Sequence, residues 1–203
     1  MKKIIFIGDS ITASNKNTDP DRLGNGYVRM IKEHLERSDQ NLQIMNKGVN
    51  GHRITDLAFR WKRDVIDLAP DLVSISIGVN DVWRQLDAAN LPQVDIEKFE
   101  HVYRDLLTQL TTANPKAKIV LMEPTIIEEN PESKGNQMLI PYVGIVQKLA
   151  KEFDAVLVPT HAVFITHLKS EPEKALTTDG VHMKVLGNEL MANAWLKAAN
   201  EIL

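Results

Sequence analysis

Ser10 is the first residue whose type and position suggest chemistry. It follows an apolar run over residues 4–7 and the dipeptide Gly8-Asp9. An unbroken β-branched and aromatic run is typical of a strand buried on both faces of a parallel sheet. A serine just past the carboxyl end of such a strand lies where α/β sheets bind ligands, so its hydroxyl is a candidate nucleophile. Gly, Asp and Ser are also turn formers, and the tripeptide by itself more often marks a plain turn.

A serine nucleophile needs a base to accept its proton and a third group to orient that base. Among the six histidines, His182 follows Asp179 by three residues in a glycine-containing loop. A carboxylate at that spacing can hydrogen-bond the imidazole and fix its tautomer. The Asp-x-x-His pair is therefore a candidate base with its partner, although such pairs also occur in ordinary surface turns.

Two residues could stabilise the negative charge that develops on the attacked oxygen. Gly51 ends a Gly-Val-Asn-Gly loop and can offer a backbone N–H without side-chain obstruction, and Asn80 can offer a side-chain NH₂. Turn formation is the alternative role for both. Trp83 and Arg84 follow Asn80 closely and are interpreted as pocket-lining residues. The alternative is that Trp83 is core and Arg84 a surface charge.

Strand-like and helix-like segments alternate along the chain and must position these residues. The five segments predicted as strands are 4–7, 42–46, 71–77, 118–122 and 155–158. Repeated β-then-α units predict a three-layer α/β/α fold with a flavodoxin-like, doubly wound sheet of five parallel strands. In that topology the ends of the first three strands lie side by side, and they carry Ser10, Gly51 and Asn80. Two long polar loops are predicted at residues 12–25 and 125–139.

Bulk composition excludes several classes of function. The chain has 203 residues, enough for one domain over residues 1–203, and 43% of them are hydrophobic. A net charge of −3 gives no signal for nucleic acid or an acidic membrane surface. The absence of cysteine excludes thiolate catalysis. Without a membrane span or a signal peptide, the expected location is cytoplasmic. No metal or other cofactor is expected, and whether the chain forms a homo-oligomer stays open.

Four motifs in order give the chain a family resemblance. Gly-Asp-Ser follows the first strand, Asn-x-Gly-x-x-Gly (46–51) the second and Gly-x-Asn-Asp the third, while Asp-x-x-His precedes the last helix. This order resembles the SGNH hydrolases, also called the GDSL esterase/lipase family. The resemblance implies a triad of Ser10, Asp179 and His182, and an oxyanion hole made by Ser10 N–H, Gly51 N–H and the Asn80 side chain. Ile11 stands where the family name has Leu, a conservative change.

Residues 46–51 and 78–85 look most like the intracellular acetylxylan esterases of this family. That resemblance implies a serine esterase that cleaves short acyl esters, above all acetyl, through an acyl-enzyme. Its partner would be a small-molecule ester, such as an acetylated oligosaccharide. A lysophospholipase or thioesterase of the same fold is the alternative.

Two further alternatives use different residues at the same sheet edge. A flavodoxin-like FMN-binding protein could cradle a phosphate with Ser10, Thr12 and Ser14. A Mg²⁺-dependent phosphatase could use Asp9, Asp81 and Asp179, although these carboxylates lie in separate loops and the first strand lacks an Asp-x-Asp motif.

Overall fold

A parallel sheet of five strands forms the centre of the fold. The computed structural model describes residues 1–37 and 41–203, and within them the strands are β1 (Lys2–Gly8), β2 (Leu42–Gly48), β3 (Leu72–Ser76), β4 (Lys118–Met122) and β5 (Val156–Val158). Their order is β2-β1-β3-β4-β5, and every pairing is parallel. This is the predicted flavodoxin-like order, and it brings the ends of β2, β1 and β3 together.

Helices cover both faces of the sheet. They are α1 (Ser10–Ala13), α2 (Tyr27–Leu35), α3 (Ile54–Asp64), α4 (Val79–Asp87), α5 (Ile96–Ala113), α6 (Lys134–Glu152), α7 (Thr160–Ser170) and α8 (Val185–Ala199), with short 3₁₀ turns at Ile66–Leu68 and Asn200–Ile202. One layer packs α8 against α2 and α7, while the other packs α5 against α3 and α6. None of the helices in the described ranges is long and apolar enough to cross a membrane.

The core follows from the alternation of side chains along the strands. Phe6 of β1 packs against Tyr27 of α2 and Trp195 of α8, with ring centroids 6.0 and 5.2 Å apart. Ser74 of β3 is fully buried, and its hydroxyl accepts a hydrogen bond from the indole N–H of Trp195 at 2.9 Å. The second helical layer has its own aromatic group, formed by Phe99, Tyr103 and Tyr142.

Three helix starts differ from the sequence prediction, and a side-chain cap explains two of them. α1 begins at Ser10, within the turn, because the Asp9 side chain caps it. α4, which was not predicted, begins at Val79 directly after β3 and contains Asn80 in its first turn. α6 begins at residue 134 because Ser133 caps it, so the loop predicted to run to residue 139 ends at residue 133.

Candidate active site

The turn after β1 places Ser10 at the start of a short helix. A side chain at Gly8 would lie 2.2 Å from the carbonyl oxygen of Ser76 and 2.4 Å from Thr12 Oγ1, so the tight turn requires glycine. The buried Asp9 carboxylate accepts the N–H of Ile11 at 2.9 Å and holds the turn closed. As the first residue of α1, Ser10 has a backbone N–H without an acceptor inside the helix.

Ser10, His182 and Asp179 form a continuous chain of hydrogen bonds. Ser10 Oγ lies 2.9 Å from His182 Nε2, and His182 Nδ1 lies 2.6 Å from Asp179 Oδ2. With the carboxylate as acceptor, Nδ1 carries the proton and Nε2 is left to accept one from the serine. Ser10 and the Asp-x-x-His pair, which the sequence identified separately, are therefore brought together at one point.

Asp179 is held as a carboxylate by its own loop. Burial opposes its ionisation, but hydrogen bonds from the backbone N–H and the ring of His182 and from the N–H of Val181 keep the pKa of Asp179 below its usual value. The side chains of Asp179 and His182 are 46% and 42% exposed, so the pair lies at the rim of the site.

The loop after β4 braces the segment that carries Asp179 and His182. An antiparallel bridge between Thr177 and Met183 closes this segment into a turn. Glu129 accepts hydrogen bonds from the backbone N–H and the hydroxyl of Thr177, and the N–H of Glu128 donates to the carbonyl of Gly180 at 2.8 Å. The long polar loop singled out in the sequence is thus tied to the triad segment.

Gly51 and Asn80 approach each other through His52. The amide Nδ2 of Asn80 donates to the carbonyl oxygen of His52 at 3.1 Å, which leaves a second N–H on the same nitrogen. Gly51 has a φ of +75°, a conformation that favours glycine, and a side chain there would meet nothing within 4 Å. Gly51 therefore borders open space beside the Asn80 amide.

Asp81 fixes α3 against α4 beneath these donors. Its fully buried carboxylate accepts the N–H of Ile54, the first residue of α3, at 3.1 and 3.3 Å. Burial raises the pKa of Asp81 to about 7, although that hydrogen bond lowers it, and the nearby carboxylate of Asp9 adds to the rise. Burial likewise raises the pKa of Asp9 to about 6.

Trp83 lies beside His182, and Arg84 lies over the Trp83 ring. The Trp83 ring meets that of His182 edge-on, with centroids 6.0 Å apart. The Arg84 guanidinium carbon sits 4.9 Å from the centre of the Trp83 ring, and the guanidinium donates to Asp87 at 2.5 Å. Trp83 is half-buried, so it contacts both the core and the site. Arg84 is instead paired within its own helix.

The residues behind the two alternative functions are engaged in other contacts. The hydroxyl of the fully buried Thr12 bonds that of Tyr27 at 2.9 Å, and Ser14 bonds Asn25 at 3.0 Å. The three carboxylates considered for a phosphatase serve separate hydrogen bonds, to Ile11, Ile54 and His182. Neither arrangement resembles a phosphate cradle or a set of converging metal ligands.

His52 and Arg60 are among the residues near the site that were not identified from the sequence. His52 accepts the Asn80 amide through its carbonyl. Arg60 is buried, and its guanidinium reaches His52 and the ends of β1 and β2. The available signal was Arg60 with Asp64 four residues later, beside the apolar positions Leu57 and Trp61 of α3.

A cleft of about 840 Å³ opens over Ser10 and His182. Its lining is rich in amides and hydroxyls, with a few apolar side chains such as Ile11 and Val185. The polar lining residues other than the triad are Ser14, Asn15, Asn25, Asn50, Thr178, Lys184 and Asn188.

Comparison with known proteins gives a consistent set of relatives. Residues 6–190 match the GDSL-like Lipase/Acylhydrolase family. An acetylxylan esterase from Geobacillus stearothermophilus is 35% identical in an alignment of 206 positions, which spans 97% of this chain and 93% of that protein. The crystal structure of Axe2, an acetylxylan esterase from the same organism, has a TM-score of 0.88 at 35% identity and the same coverage. LAE5, an α/β hydrolase enzyme from the metagenome of Lake Arreo in Spain, has a TM-score of 0.89 at 30% identity, covering 98% of this chain and 95% of that one.

The family match over residues 6–190 spans the positions of all four sequence motifs, and the relatives align with nearly the whole chain. The fold and its strand order also agree with the solved structures. The chain therefore belongs to the GDSL-like lipase/acylhydrolase family and is a carboxylic ester hydrolase.

Proposed function

We propose that this hydrolase removes acetyl groups from carbohydrate hydroxyls through a Ser-His-Asp triad and an acyl-enzyme. The observation that carries the proposal is the chain of hydrogen bonds from Ser10 Oγ through His182 to Asp179, at 2.9 and 2.6 Å, on the wall of a cleft lined by both polar and apolar side chains. The Axe2 structures described as catalytic mutants replace a serine, an aspartate and a histidine, and that aspartate precedes the histidine by three residues as Asp179 precedes His182.

The first half of the reaction forms the acyl-enzyme. His182 Nε2 accepts the hydroxyl proton as Ser10 Oγ attacks the ester carbonyl carbon, and Asp179 stabilises the resulting imidazolium. The carbonyl oxygen becomes an oxyanion, which the N–H groups of Ser10 and Gly51 and the amide of Asn80 stabilise. The intermediate then collapses, the bond to the alcohol oxygen breaks, and His182 returns the proton to that oxygen.

The second half releases the acid. A water molecule gives a proton to His182 Nε2 as its oxygen attacks the acyl carbon, and the same donors stabilise the second oxyanion. The bond to Ser10 Oγ breaks, the serine regains its proton from His182, and the carboxylic acid leaves. Each step reuses one proton path, so Ser10 and His182 must stay within hydrogen-bond distance throughout.

The preference for a sugar ester rests on the character of the cleft. Its asparagine amides and hydroxyls can pair with the hydroxyls of a carbohydrate leaving group. The half-buried Trp83 ring lies beside His182, with the Arg84 guanidinium over one of its faces, and is of the type on which sugar C–H groups stack. A long acyl chain would instead need an apolar groove, in which each buried methylene contributes about 0.8 kcal/mol.

The test is the dependence of kcat/KM on acyl chain length, measured with p-nitrophenyl esters from acetyl to octanoyl. We expect a steep fall beyond acetyl, together with acetate release from acetylated xylo-oligosaccharides. A rise toward octanoyl would instead favour a lysophospholipase or thioesterase of the same fold. The Ser10→Ala variant is the control, since it should fold normally and show no turnover above background.

A further inference from the structure

Arg60 is a buried cation that the reaction described above does not use. It lies in the middle of α3, and its side chain is 3% exposed. A guanidinium removed from water is costly unless its N–H groups find acceptors. Arg60 donates to the carbonyl of Gly8 at 2.9 Å, the carbonyl of Lys47 at 2.7 Å and the ring nitrogen Nδ1 of His52 at 3.1 Å.

These acceptors belong to the segments that carry the proposed oxyanion donors. Gly8 ends β1 two residues before Ser10, and Lys47 lies near the end of β2, where the loop to Gly51 begins. His52 follows Gly51 directly, and its carbonyl receives the Asn80 amide. The planar guanidinium of Arg60 therefore contacts the chain before and after Gly51 and at the end of β1.

The charge of Arg60 is balanced away from the site. Asp64, one turn later in α3, accepts from Arg60 Nη1 at 3.0 Å and also binds Arg63. Burial lowers the pKa of His52, and the adjacent Arg60 lowers it further, so the neutral imidazole is favoured. A neutral ring with Nδ1 as acceptor is the form that the Arg60 Nε–H requires.

We propose that Arg60 is a positioning residue that sets the spacing between the Ser10, Gly51 and Asn80 donors. This inference rests on the proposed function, because it assigns those donors to the oxyanion. A displacement of about 1 Å in groups that meet the reacting atoms can cost on the order of 100-fold in rate. Lysine at this position keeps the charge but cannot reproduce the planar fork that spans three acceptors.

The experiment compares Arg60→Lys with Arg63→Lys, measuring kcat, KM and the thermal midpoint Tm with p-nitrophenyl acetate. Arg63 is the matched control because it binds the same Asp64 from the exposed side of α3 and does not contact the site. We expect Arg60→Lys to lower kcat by roughly 10- to 100-fold with KM changed less than about threefold, while Arg63→Lys matches wild type. The assay temperature is kept well below the Tm of both variants. Equal kcat values for the two variants under that condition would overturn the proposal.

A double-mutant cycle with Asn80→Ala separates positioning from a general loss of structure. If Arg60 acts through the oxyanion donors, its replacement should cost much less in the Asn80→Ala background than in wild type. Fully additive effects on kcat would contradict the proposal.

Should Arg60→Lys fail to fold, His52→Phe removes one acceptor of Arg60 and retains a ring. The same loss of kcat at nearly constant KM is then expected, and an unchanged kcat would count against the role of Arg60. An inactive wild-type enzyme with all esters tested would instead refute the proposed function, and so the two failures can be told apart.

Discussion

At the residue scale, the two carboxylate oxygens of Asp179 accept different hydrogen bonds. Its Oδ1 accepts backbone N–H groups of its own loop, while its Oδ2 accepts the His182 ring. The same bonds keep the pKa of Asp179 below its usual value against the effect of burial. The carboxylate therefore stays charged as pH falls toward that value.

The corresponding prediction concerns Asp179→Asn. An amide of the same shape can donate to Nδ1 and so favour the wrong imidazole tautomer, with the proton on Nε2. We expect kcat to fall on the order of 10²–10⁴-fold while Tm changes little, because the pair is partly exposed. Steady-state kinetics with p-nitrophenyl acetate provide the measurement, and a variant with more than half of wild-type kcat would remove Asp179 from the triad.

Asn80 allows a sharper distinction between binding and catalysis. Its amide would meet a full negative charge only in the tetrahedral intermediate, so Asn80→Ala should lower kcat by roughly 10²–10³ with a modest change in KM. The exposed Asn193, on the outer surface of α8, offers a control substitution to alanine that should leave both constants unchanged. An effect confined to KM would make Asn80 a substrate-binding residue.

At the scale of elements, the strands and their order could be predicted from the sequence, while several helix starts could not. Apolar runs identify β1 and β4, and a run broken by Ser74 and Ser76 identifies β3, because these strands are largely buried on both faces. The start of α4 was missed since Gly78-Val79-Asn80-Asp81 has the composition of a turn, and Asp81 in this first turn accepts a long-range hydrogen bond from Ile54. The local residue pattern around Asp81 does not indicate that its hydrogen-bond partner is Ile54.

Some residues of the candidate site could be predicted from the sequence and others could not. Ser10, Asp179 and His182 belong to short motifs, and those residues could be named before their contacts were known. Arg60 and Glu129 could not be named, because their partners are distant in the sequence. Arg60 donates to backbone carbonyls of β1 and β2, and Glu129 accepts from Thr177. What the sequence leaves out is therefore mainly the support that holds the site together.

Replacement of Glu129 tests whether the loop after β4 stabilises the turn that carries Asp179 and His182. Removal of its carboxylate in Glu129→Ala leaves the Thr177 hydroxyl and N–H without their acceptor, which should loosen the turn that carries Asp179 and His182. We expect faster amide hydrogen exchange over residues 177–183 and a fall in kcat on the order of tenfold. Glu132→Ala, an exposed change in the same loop, is the control, and identical exchange in both variants would contradict the bracing role.

At the scale of the whole molecule, strand order is what assembles the site. Placing β1 between β2 and β3 brings three successive strand ends to one edge, and these ends carry Ser10, Gly51 and Asn80. The cost is that two carboxyls, Asp9 and Asp81, are buried near each other beneath that edge. That the chain forms one domain over residues 1–203 stays a prediction.

These buried carboxyls predict how stability depends on pH. Burial raises the pKa of Asp9 to about 6 and that of Asp81 to about 7, from an ordinary value of 3.8. The folded state then binds protons that the unfolded chain has lost, so their contribution to stability is complete below pH 3.8 and is lost as pH rises through about 7. Asp64 has the opposite sign, because hydrogen bonds from Arg63 and Arg60 outweigh burial and lower its pKa to about 2.

Asp81→Asn should therefore change the slope of stability against pH. Asparagine can still accept the Ile54 N–H through its oxygen but never ionises, so it escapes the cost of a buried charge. In urea unfolding at several pH values between 5 and 8, the difference in unfolding free energy between Asp81→Asn and wild type should shift in favour of the variant as pH rises. Asp64→Asn should differ from wild type by a constant amount over this range, because its folded and unfolded pKa values, about 2 and 3.8, both lie below it. A difference for Asp81→Asn that is equally flat would show that the Asp81 carboxyl is already ionised in the folded protein at pH 5, and that the site tolerates its charge.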